Sequence, residues 1–487
     1  MDSSQSTSLA DAIDRALTPF SDFISSIIFF SVPIGGVSLP LVVVWLISAA
    51  AILTVSFKFI NLRGFRHAWS LVFRKQEEHT GHGEISHFQA LSSALSGTVG
   101  LGNIASVPVA IALGGPGAVF WMILAGFLGM TSKFAECALA VKYRTVTPEG
   151  RTIGGPMYYI ESAFARHGLK WVGKGAAIFF AVMAMGASIS LFQVNQSYAQ
   201  LANVLHITDP NAPVIYGVVL SSLVAIVILG GIRRIGSVTG VLVPLMGAIY
   251  MGAGLIIIAM NIEHLPQAIA SIFEGAFGLD AAGGGLVGAL INGIRRATYS
   301  NEAGVGSAAI AHSAVKTSEP LTEGYVALLE PFIDTIVVCS VTALVVIITG
   351  AYEPFLFNAD VRGIEITSAA FASAFSWFPY VLLVASMLFA FTTLVSWSFY
   401  GAQAAAYLFG TSKRVDVTFK LILCVILSTG AAVSVSSILN FIDSMLFGMC
   451  IPNIIALYIL LPELKRDVRS YQTKYLTSPR RQPAALG

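Results

Sequence analysis

A run of eight residues at 96–103, Ser-Gly-Thr-Val-Gly-Leu-Gly-Asn, interrupts an apolar stretch that is long enough to cross a lipid bilayer. Glycine loses more backbone entropy in a helix than other residues do, and Ser, Thr and Asn offer side-chain hydrogen bonds that compete with the helical ladder. The sequence therefore predicts a broken helix here. In hydrocarbon, freed backbone groups are tolerated only where they line a cavity or are buried in protein. The break thus predicts a binding site inside the membrane and indicates transport.

The composition is typical of a polytopic membrane protein. Hydrophobic residues make up 55% of the 487-residue chain and charged residues only 11%, whereas soluble domains carry about 25% charged residues. The apolar segments follow one another without an intervening polar domain, which predicts a single all-α helical bundle. Cys137, Cys339, Cys424 and Cys450 lie singly in apolar stretches. We therefore expect buried, free thiols rather than disulfides or a metal site.

Eleven segments are predicted to cross the membrane as helices of about 20 apolar residues or more. They lie at 39–60, 84–113, 118–141, 171–205, 212–229, 237–260, 265–297, 321–349, 366–409, 417–435 and 438–461. Before them, the N-terminus carries Asp2, Asp11 and Asp14, whereas a cleavable signal peptide begins with basic residues. Ser, Asp, Pro and Gly also interrupt the apolar part of this N-terminal segment. Residues 1–37 are therefore predicted to form an N-terminal interfacial segment.

Basic residues predict the orientation of the bundle. With eleven alternating helices, all of the 28 Lys and Arg residues except Arg15 and Arg362 fall on one side. Cytoplasmic loops carry an excess of Lys and Arg, so this side is predicted to face the cytoplasm. We expect a multi-pass protein of the plasma (inner) membrane, with its N-terminus outside and a cytoplasmic C-terminal tail at 463–487.

A second glycine-rich run at 278–285, Gly-Leu-Asp-Ala-Ala-Gly-Gly-Gly, interrupts another apolar segment about 180 residues after the first. The second run lies five helices after the first in the predicted order, with four helices between them, so the two broken helices point in opposite directions. Two five-helix units of opposite topology, each opening with a broken helix, are typical of inverted-repeat secondary transporters. The alternative is that the glycines only allow close helix packing. The pairing of the two runs favours transport.

Four longer motifs stand out in chain order: LSGTVGLGNIASVPVAIALGGPGAVFWM, TIGGPMYYI, ATYSNEAGVGSAAIAH and LLEPFIDTIVVC. They resemble motifs of the alanine or glycine:cation symporter family, the sodium:alanine symporters, which has a leucine-transporter-type fold. The similarity runs over residues 87–455. Ala297 and Ala309 depart from the pattern, because family members usually have Gly at the first position and often Pro at the second.

The resemblance implies eleven transmembrane helices, with one extra N-terminal helix before a five-plus-five inverted repeat. We expect the extra helix and a cytoplasmic loop at 38–83, the first repeat at 84–262 and the second at 263–462. The resemblance also implies uptake of a small neutral amino acid, alanine or glycine, coupled to a co-transported sodium ion, or alternatively to a proton. The expected partners are this substrate and the lipid bilayer, with no nucleic acid.

Two other function classes fit the sequence less well. A channel needs a ring of similar elements around one pore, and two unlike breaks do not supply it. A membrane-embedded enzyme needs a nucleophile and a base at mid-membrane, whereas the eight histidines fall in loops or at helix ends. We therefore expect no enzymatic activity. The sequence leaves open alanine against glycine, the stereospecificity, sodium against proton, and the oligomeric state.

The first break is predicted to bind the substrate carboxylate. Free backbone N–H groups at Gly100, Gly102 and Asn103 start the outer half of the helix, where the positive end of the helix dipole favours an anion. The side chains of Thr98 and Asn103 add possible contacts. For Asn103 the alternative is a helix cap without a ligand role.

The second break is predicted to complete the substrate site. Carbonyl groups near Phe277 and Gly278 would receive the substrate ammonium group, and Gly283 and Gly284 would allow a close approach of the backbone. Asp280 lies within the same run. We expect it to face an outer aqueous vestibule rather than the ammonium group.

Two further side chains are candidates for substrate contacts. Gln193 interrupts an apolar stretch of its helix, and a polar side chain at mid-membrane is a functional candidate; a hydrogen bond between helices is the alternative. Trp397 is predicted to cap the cavity and limit the size of the substrate. Its alternative role is packing against lipid or another helix.

Sodium prefers oxygen ligands, and a hydroxyl pair in the ninth predicted helix offers them. The hydroxyl groups of Thr392 and Thr393 are predicted to bind sodium together with carbonyl groups of Leu95 and Ser96, at the end of the first half-helix. Transporters of the fold that the resemblance implies have a hydroxyl pair in this place. The alternative is that each threonine bonds back to its own helix.

Two acids lie one helical turn apart in the eighth predicted helix. Acids inside a membrane indicate a role in ion or proton transport, but Glu330 is close enough to the inner side to pair with Lys133, Arg295 or Arg296. We favour a structural ion pair and leave the role of Glu330 and Asp334 open. The motif at 300–306 is interpreted as an intracellular gate.

Overall fold

The computed structural model describes residues 9–34, 37–73, 81–147, 152–278, 285–356, 363–433 and 435–477. Within these ranges the chain is helical apart from two short antiparallel hairpins and connecting turns. The predicted all-α class is therefore confirmed. The four cysteines all lie in these ranges and are free thiols, as expected.

The N-terminal part begins with a helix that packs against the last long helix of the chain. A hairpin follows, in which Ser31 pairs with Pro40. The elements are α1 (Leu9–Ile28), β1 (Ser31–Ile34), β2 (Val37–Pro40), α2 (Leu41–Ser56), α3 (Ile60–Arg63) and α4 (Phe65–Phe73). The predicted interfacial segment thus contains a long helix and one strand of a hairpin.

The predicted break at 96–103 is confirmed. Helix α5 (His87–Thr98) begins with a capping box, in which Ser86 and Gln89 each satisfy the other's backbone N–H. It ends at Thr98, and the chain resumes as a π-helical turn, Gly102–Ser106, followed by α6 (Val107–Gly114). The two halves are bent by 44°. Residues 99–101 therefore leave the regular helical ladder between two membrane-buried half-helices.

The remaining helices of the first half surround this broken helix. They are α7 (Ala118–Lys142), the hairpin β3 (Thr145–Val146) and β4 (Thr152–Ile153), α8 (Pro156–Ala165), α9 (Lys170–Ala187), α10 (Leu191–Leu205), α11 (Ala212–Ile228) and α12 (Gly231–Met260). Helices α9 and α10 follow each other closely and together form one long apolar stretch.

The second half contains a larger number of short segments. They are a 3-10 turn at Ile262–His264, α13 (Leu265–Phe277), α14 (Gly285–Asn301), α15 (Ser307–His312), α16 (Pro320–Ala327), α17 (Leu329–Pro331), a π-helix at Phe332–Cys339, α18 (Ser340–Ile348), a 3-10 turn at Glu353–Phe355, α19 (Gly363–Ala374), α20 (Phe378–Phe409), α21 (Lys413–Leu427), a 3-10 turn at Gly430–Ala432, α22 (Val435–Tyr471) and a π-helix at Gln472–Thr477.

Seven of the helical stretches are long and apolar enough to cross a membrane, and the bent α5–α6 pair makes eight among the described residues. The seven are Ala118–Lys142, Lys170–Leu205, Gly231–Met260, Pro320–Ile348, Phe378–Phe409, Lys413–Ala432 and Ile438–Leu476. Helices α2 and α11 are apolar but shorter. The chain is therefore a multi-pass membrane protein.

The described part of the second half is interrupted on both sides of α14: before it, where the predicted run at 278–285 lies between the end of α13 and the start of α14, and again after it. Helix α14 ends at Asn301 and α15 begins at Ser307, and between them Glu302 (φ 55°), Gly304 (φ 89°) and Gly306 (φ 89°) adopt left-handed backbone conformations. The predicted run at 278–285 starts where α13 ends, with Gly278 in extended conformation, and residues 279–284 lie outside the described part of the chain.

Packing brings the two described interruptions together. Helix α14 packs against α6 and α7, and α20 packs against α5, α9, α10 and α12. The segments at 99–101 and 302–306 consequently lie in the middle of the bundle. We call the end of the bundle formed by α3, α4, α8, the start of α5 and the C-terminal part of α22 the basic end. Arg144 ties this end together by donating to backbone carbonyl groups of His82, Ser313 and Thr317.

Candidate functional site

A small cavity lies beside the break between α5 and α6. Its wall combines the broken helix with side chains from α9, α10, α14, α20 and α22; the lining residues are Gly97, Thr98, Gly102, Ala187, Ser190, Gln193, Tyr299, Glu302, Trp397, Ile442 and Leu446. The volume of about 20 Å³ has room for about one water molecule. In this conformation the cavity is narrow, and a larger ligand requires the side chains of the wall to move outward.

Side-chain amide oxygens hold the backbone N–H groups of the first break. The Leu101 N–H donates to Gln193 Oε1 at 3.1 Å, and the Gly100 N–H donates to Asn103 Oδ1 at 2.9 Å. Gln193 lines the cavity, and its bond to Leu101 is a hydrogen bond between helices, which is the alternative stated for it. The N–H groups of the break are therefore bonded to neutral amide oxygens in this conformation.

Asn103 faces away from the cavity. Its side-chain oxygen caps the break, and its Nδ2 donates to Asp334 Oδ1 at 2.6 Å and to Ser300 Oγ at 3.1 Å. This geometry corresponds to the capping alternative. Asp334 in addition accepts hydrogen bonds from Ser300 Oγ at 2.5 Å and from Thr335 Oγ1 at 2.9 Å. Asp334 is fully buried, and its hydrogen-bond donors are neutral groups.

An oxygen-rich seam joins α5 to α20. Thr393 Oγ1 donates to the Ser96 carbonyl at 2.9 Å, and Ser96 Oγ donates to the Thr392 carbonyl at 2.6 Å. Ser396 Oγ adds a hydrogen bond to the Ser93 carbonyl at 2.8 Å. The seam therefore places hydroxyl and carbonyl oxygens of both helices side by side.

Two other groups predicted for the sodium site, and Thr98 from the predicted substrate site, bond within their own helix or to the residues that follow it. Thr392 Oγ1 bonds back to the Leu388 carbonyl of its own helix at 2.9 Å, which is the alternative stated for it. The Leu95 carbonyl accepts the Val99 N–H at 2.6 Å. Thr98 lines the cavity, and its hydroxyl lies 3.3 Å from the Ala94 carbonyl of its own helix.

Trp397 and Glu302 form one wall of the cavity. Trp397 Nε1 donates to Glu302 Oε1 at 3.1 Å, and Ser307 Oγ donates to Glu302 Oε2. The indole ring packs edge-on against Tyr400, with centroids 5.3 Å apart. Trp397 therefore borders the cavity as predicted, and its orientation depends on the carboxylate of Glu302.

Of the residues predicted from the second glycine run, the structure describes Phe277 and Gly278, and neither lines the cavity. Phe277 is 53% exposed and packs against the rings of Phe120 and Trp121. Gly278 follows it at the end of α13. Gly283 and Gly284 lie outside the described residues, as does Asp280. Glu302, in the interruption at 302–306, lines the cavity together with Tyr299 and Trp397 of the second half.

A buried ion network lies between the cavity and the basic end. We use this name for His87, Lys133, His312, Glu323 and Glu330. Glu323 bonds to both histidines, His312 Nε2 lies 2.5 Å from Glu330, and Lys133 Nζ lies 3.2 Å from the same carboxylate.

The network decides between the partners considered for Glu330. Lys133 is the residue that pairs with it, whereas Arg295 and Arg296 both pair with Asp443. The structural ion pair favoured for Glu330 is thus present.

Sequence reasoning missed Glu302, Tyr299 and Ser190 as residues of the cavity wall and Ser396 as part of the seam. A signal was present for Glu302, because an acid next to two glycines stands inside the motif at 300–306. For Ser190, Tyr299 and Ser396 the local sequence carries no comparable signal. Their places depend on how helices distant in sequence pack together.

The chain is similar to known membrane transporters. The model of the sodium:alanine symporter family matches residues 27–484. The sodium/alanine symporter AgcS of Methanococcus maripaludis is 39% identical over 89% of this chain and 94% of its own length. Two Bacillus subtilis proteins are similar over 88–89% of the chain: YrbD, a putative sodium/proton-dependent alanine carrier protein (36% identical, 90% of its length), and GlnT, a probable sodium/glutamine symporter (31%, 87%).

The structure of MhsT in complex with L-phenylalanine shares the fold, with a TM-score of 0.53 and 14% identity over 80% of this chain and 99% of MhsT. The resemblance stated from the motifs is confirmed, as is the expectation of a transporter rather than an enzyme, since the matched family consists of transporters. The coarse function is cation-coupled amino acid transport. A match of this extent, together with relatives that align along nearly their whole length, means that the chain belongs to the sodium:alanine symporter family.

Proposed function

We propose that the chain carries a small neutral amino acid, alanine or glycine, together with a sodium ion by alternating access. The proposal depends on the backbone N–H groups of Gly100 and Leu101, which lie beside the cavity. They donate hydrogen bonds to the side-chain amide oxygens of Asn103 and Gln193. A carboxylate makes stronger hydrogen bonds than an amide oxygen. The α-carboxylate of the substrate would therefore replace Gln193 Oε1 on Leu101, at the start of the outer half-helix.

The dimensions of the cavity favour a small substrate. The volume of about 20 Å³ is bordered by the rings of Tyr299 and Trp397. Thr98, Gly102 and Gln193 belong to the same wall, so they remain in the proposed substrate site with Gly100. Phe277, Gly278 and Asn103 are left out, because the structure places them elsewhere. A methyl side chain demands less outward movement of the wall than a larger one.

Sodium would bind at the seam between α5 and α20. The Ser96 carbonyl and the Thr393 hydroxyl lie 2.9 Å apart and can turn toward a common cation. The Thr392 carbonyl and the Ser396 hydroxyl are further oxygen ligands. Leu95 would contribute only a second lone pair, since its carbonyl already accepts a backbone N–H.

This placement accounts for coupling between ion and substrate. Ser96 lies in the last turn of the first half-helix, and Gly100, four residues further along, lies in the break that would receive the carboxylate. A cation that binds α5 to α20 would favour the conformation in which the N–H groups of the break are oriented toward the cavity. Different affinity of sodium for the two conformations is what couples the gradient to the substrate.

We also propose the finer topology predicted from the sequence. The eight membrane-length spans, the shorter apolar helices α2 and α11, and helix α14 together account for eleven crossings. In this arrangement α2 is the extra helix, and the repeats at 84–262 and 263–462 open with α5–α6 and with α13–α15. The clustering of Lys and Arg favours a cytoplasmic basic end and an N-terminus outside.

Proton coupling is the second candidate. Asp334 is buried beside the first break, and its hydrogen-bond donors Asn103, Ser300 and Thr335 are all neutral. A carboxyl group in this environment can take up a proton without losing an ionic partner. The related YrbD is described as sodium/proton-dependent.

Uptake into proteoliposomes tests the proposal. Purified full-length protein should accumulate labelled alanine or glycine when an inward sodium gradient is imposed, and unlabelled leucine should compete poorly. Replacing sodium by potassium is the control. Accumulation that follows a proton gradient and ignores sodium would favour the second candidate, and competition by leucine equal to that by alanine would contradict the size argument.

A further inference from the structure

Glu302 brings a carboxyl group to the wall of the central cavity. It lies in the interruption between α14 and α15, is only 2% exposed, and borders the same space as Thr98, Gly102 and Gln193. A buried carboxylate needs partners, because removing a charge from water is costly. The identity of those partners therefore indicates what the carboxylate is for.

The partners of Glu302 are neutral. Trp397 Nε1 donates to Oε1 at 3.1 Å, and Ser307 Oγ donates to Oε2. An ionised carboxylate has about four acceptor positions, so two donors leave acceptor capacity on a group that borders the cavity. Trp397 and Ser307 hold the carboxylate in a fixed place, but neither carries a positive charge that would neutralise it.

The nearby lysine has another partner. Lys133 lies in α7 and forms its ion pair with Glu330, at 3.2 Å. Glu330 in turn lies 2.5 Å from His312. Glu302 thus forms none of the ion pairs of the network, although the charge of Lys133 acts on it from a greater distance. A purely structural role as the counter-ion of Lys133 is therefore not what the geometry indicates.

The backbone at Glu302 is also exceptional. Its φ of 55° places a non-glycine residue in the left-handed region, which is uncommon for a side chain of this kind. Such conformations persist where the surroundings require them, and they cluster at functional sites. Here the conformation turns the chain from α14 into α15 at the cavity.

We infer that Glu302 accepts the α-ammonium group of the substrate, so that the cavity selects small zwitterions that carry a protonated primary amine. The inference rests on the proposed function. The substrate carboxylate would bind the N–H groups of Gly100 and Leu101, and the ammonium group would bind Glu302. In this arrangement the interruption at 302–306 binds the ammonium group, a role first expected of carbonyl groups near Phe277.

The assignment has a consequence for selectivity. An ammonium group forms charge-assisted hydrogen bonds with a carboxylate and offsets its burial. Lactate has the same carbon skeleton as alanine but carries a hydroxyl group in place of the ammonium group, so it would leave the carboxylate of Glu302 without a cation. A site built to bind an ionic group rejects an analogue that lacks it. Alanine should therefore bind and lactate should not.

The test is competition for labelled alanine uptake in proteoliposomes that contain the full-length protein, with unlabelled alanine and lactate as competitors. Glu302→Gln keeps the shape and removes the charge. We expect its KM for alanine to rise about tenfold to a hundredfold, because a hydrogen bond between charged groups is lost, with a smaller change in maximal rate and a reduced preference for alanine over lactate. Glu263→Gln, at a residue that is 82% exposed, is the matched control and should leave both values unchanged.

A Glu302→Gln variant with the wild-type KM and the wild-type preference would overturn the inference. If this variant does not fold, as judged by its melting temperature in detergent, Glu302→Asp decides, since it keeps the charge and shortens the side chain. It should raise the KM and retain the preference for alanine, and a wild-type KM would again overturn the inference. Wild-type protein without sodium-driven alanine uptake refutes the proposed function, whereas normal wild-type uptake with an unaffected variant refutes only the role of Glu302.

Discussion

The central cavity and the ion network are both buried and polar, yet they satisfy their polar groups in opposite ways. In the network, each carboxylate meets two basic side chains: Glu323 meets both histidines, and Glu330 meets His312 and Lys133. In the cavity, Glu302 meets neutral donors, and the backbone N–H groups of the break meet amide oxygens. The network is internally compensated, and the cavity holds groups whose partners a charged ligand can replace.

The two regions also differ in what they connect. The network joins α5, α7, α15, α16 and α17 through side chains alone, so its charges hold together the helices that lie between the cavity and the basic end. The cavity and the seam combine main-chain groups of the broken helix with side chains from α10 and α20. Changes in the network should therefore mainly affect stability, and changes at the cavity and the seam should mainly affect binding.

The largest expected effect is on the network. Glu330→Leu leaves Lys133 and His312 without their shared carboxylate in a fully buried place. Breaking a buried ion pair on one side costs about 3–5 kcal/mol. We expect a loss of this order in the free energy of unfolding, measured by denaturation in detergent. The double variant Lys133→Leu, Glu330→Leu should lose less than the single variant, because it removes both charges.

The matched control for this prediction is the pair of Lys174 and Glu161, at 3.4 Å and about 40% exposed on each side. Glu161→Gln should cost less than about 1 kcal/mol, since exposed ion pairs contribute little. Equal losses for Glu330→Leu and Glu161→Gln would show that the network does not stabilise the bundle as described.

The next effect concerns the first break. A Cβ added at Gly100 would lie 2.6 Å from Thr393 Oγ1 and 3.3 Å from the amide group of Gln193. Gly100→Ala therefore forces the break away from the seam, at a cost of about 1–3 kcal/mol typical of overpacking. We expect alanine uptake to fall by more than about tenfold. Gly175→Ala, where nothing lies within 4 Å of the added atom, should transport normally, and similar losses in both variants would contradict the argument.

The contrast between the two breaks shows how far the sequence could predict the site. The first break follows from local composition, and it lies where glycine and hydroxyl residues compete with the helix. For the second, the glycines at 283–285 are the stronger local signal, but the described interruption that reaches the cavity is at 302–306. That segment is held by the bond from Trp397, 95 residues away. Local composition does not contain such a contact.

The sodium seam illustrates the same limit at the level of single residues. Neighbouring threonines in a helix point about 100° apart, so one hydroxyl can face α5 while the other cannot. The sequence predicts the pair, but which member faces Ser96 depends on the rotation of α20 against α5. The structure shows Thr393 facing Ser96 and Thr392 bonded to its own helix.

The smallest expected effect separates these two threonines. Thr393→Val removes the hydroxyl that lies 2.9 Å from the Ser96 carbonyl, and the loss of one oxygen ligand worth about 1–1.5 kcal/mol should raise the sodium concentration for half-maximal uptake about tenfold. Thr392→Val keeps the carbonyl that accepts from Ser96 and removes a hydroxyl that serves its own helix. It should change the sodium dependence by less than about twofold.

Sodium titration of alanine uptake in both variants measures the difference, and an equal shift in the two would mean that the seam binds sodium with the hydroxyl pair together. A shift in neither variant would remove the seam from the proposed sodium site, because the hydroxyl of Thr393 is the α20 group that donates to the Ser96 carbonyl.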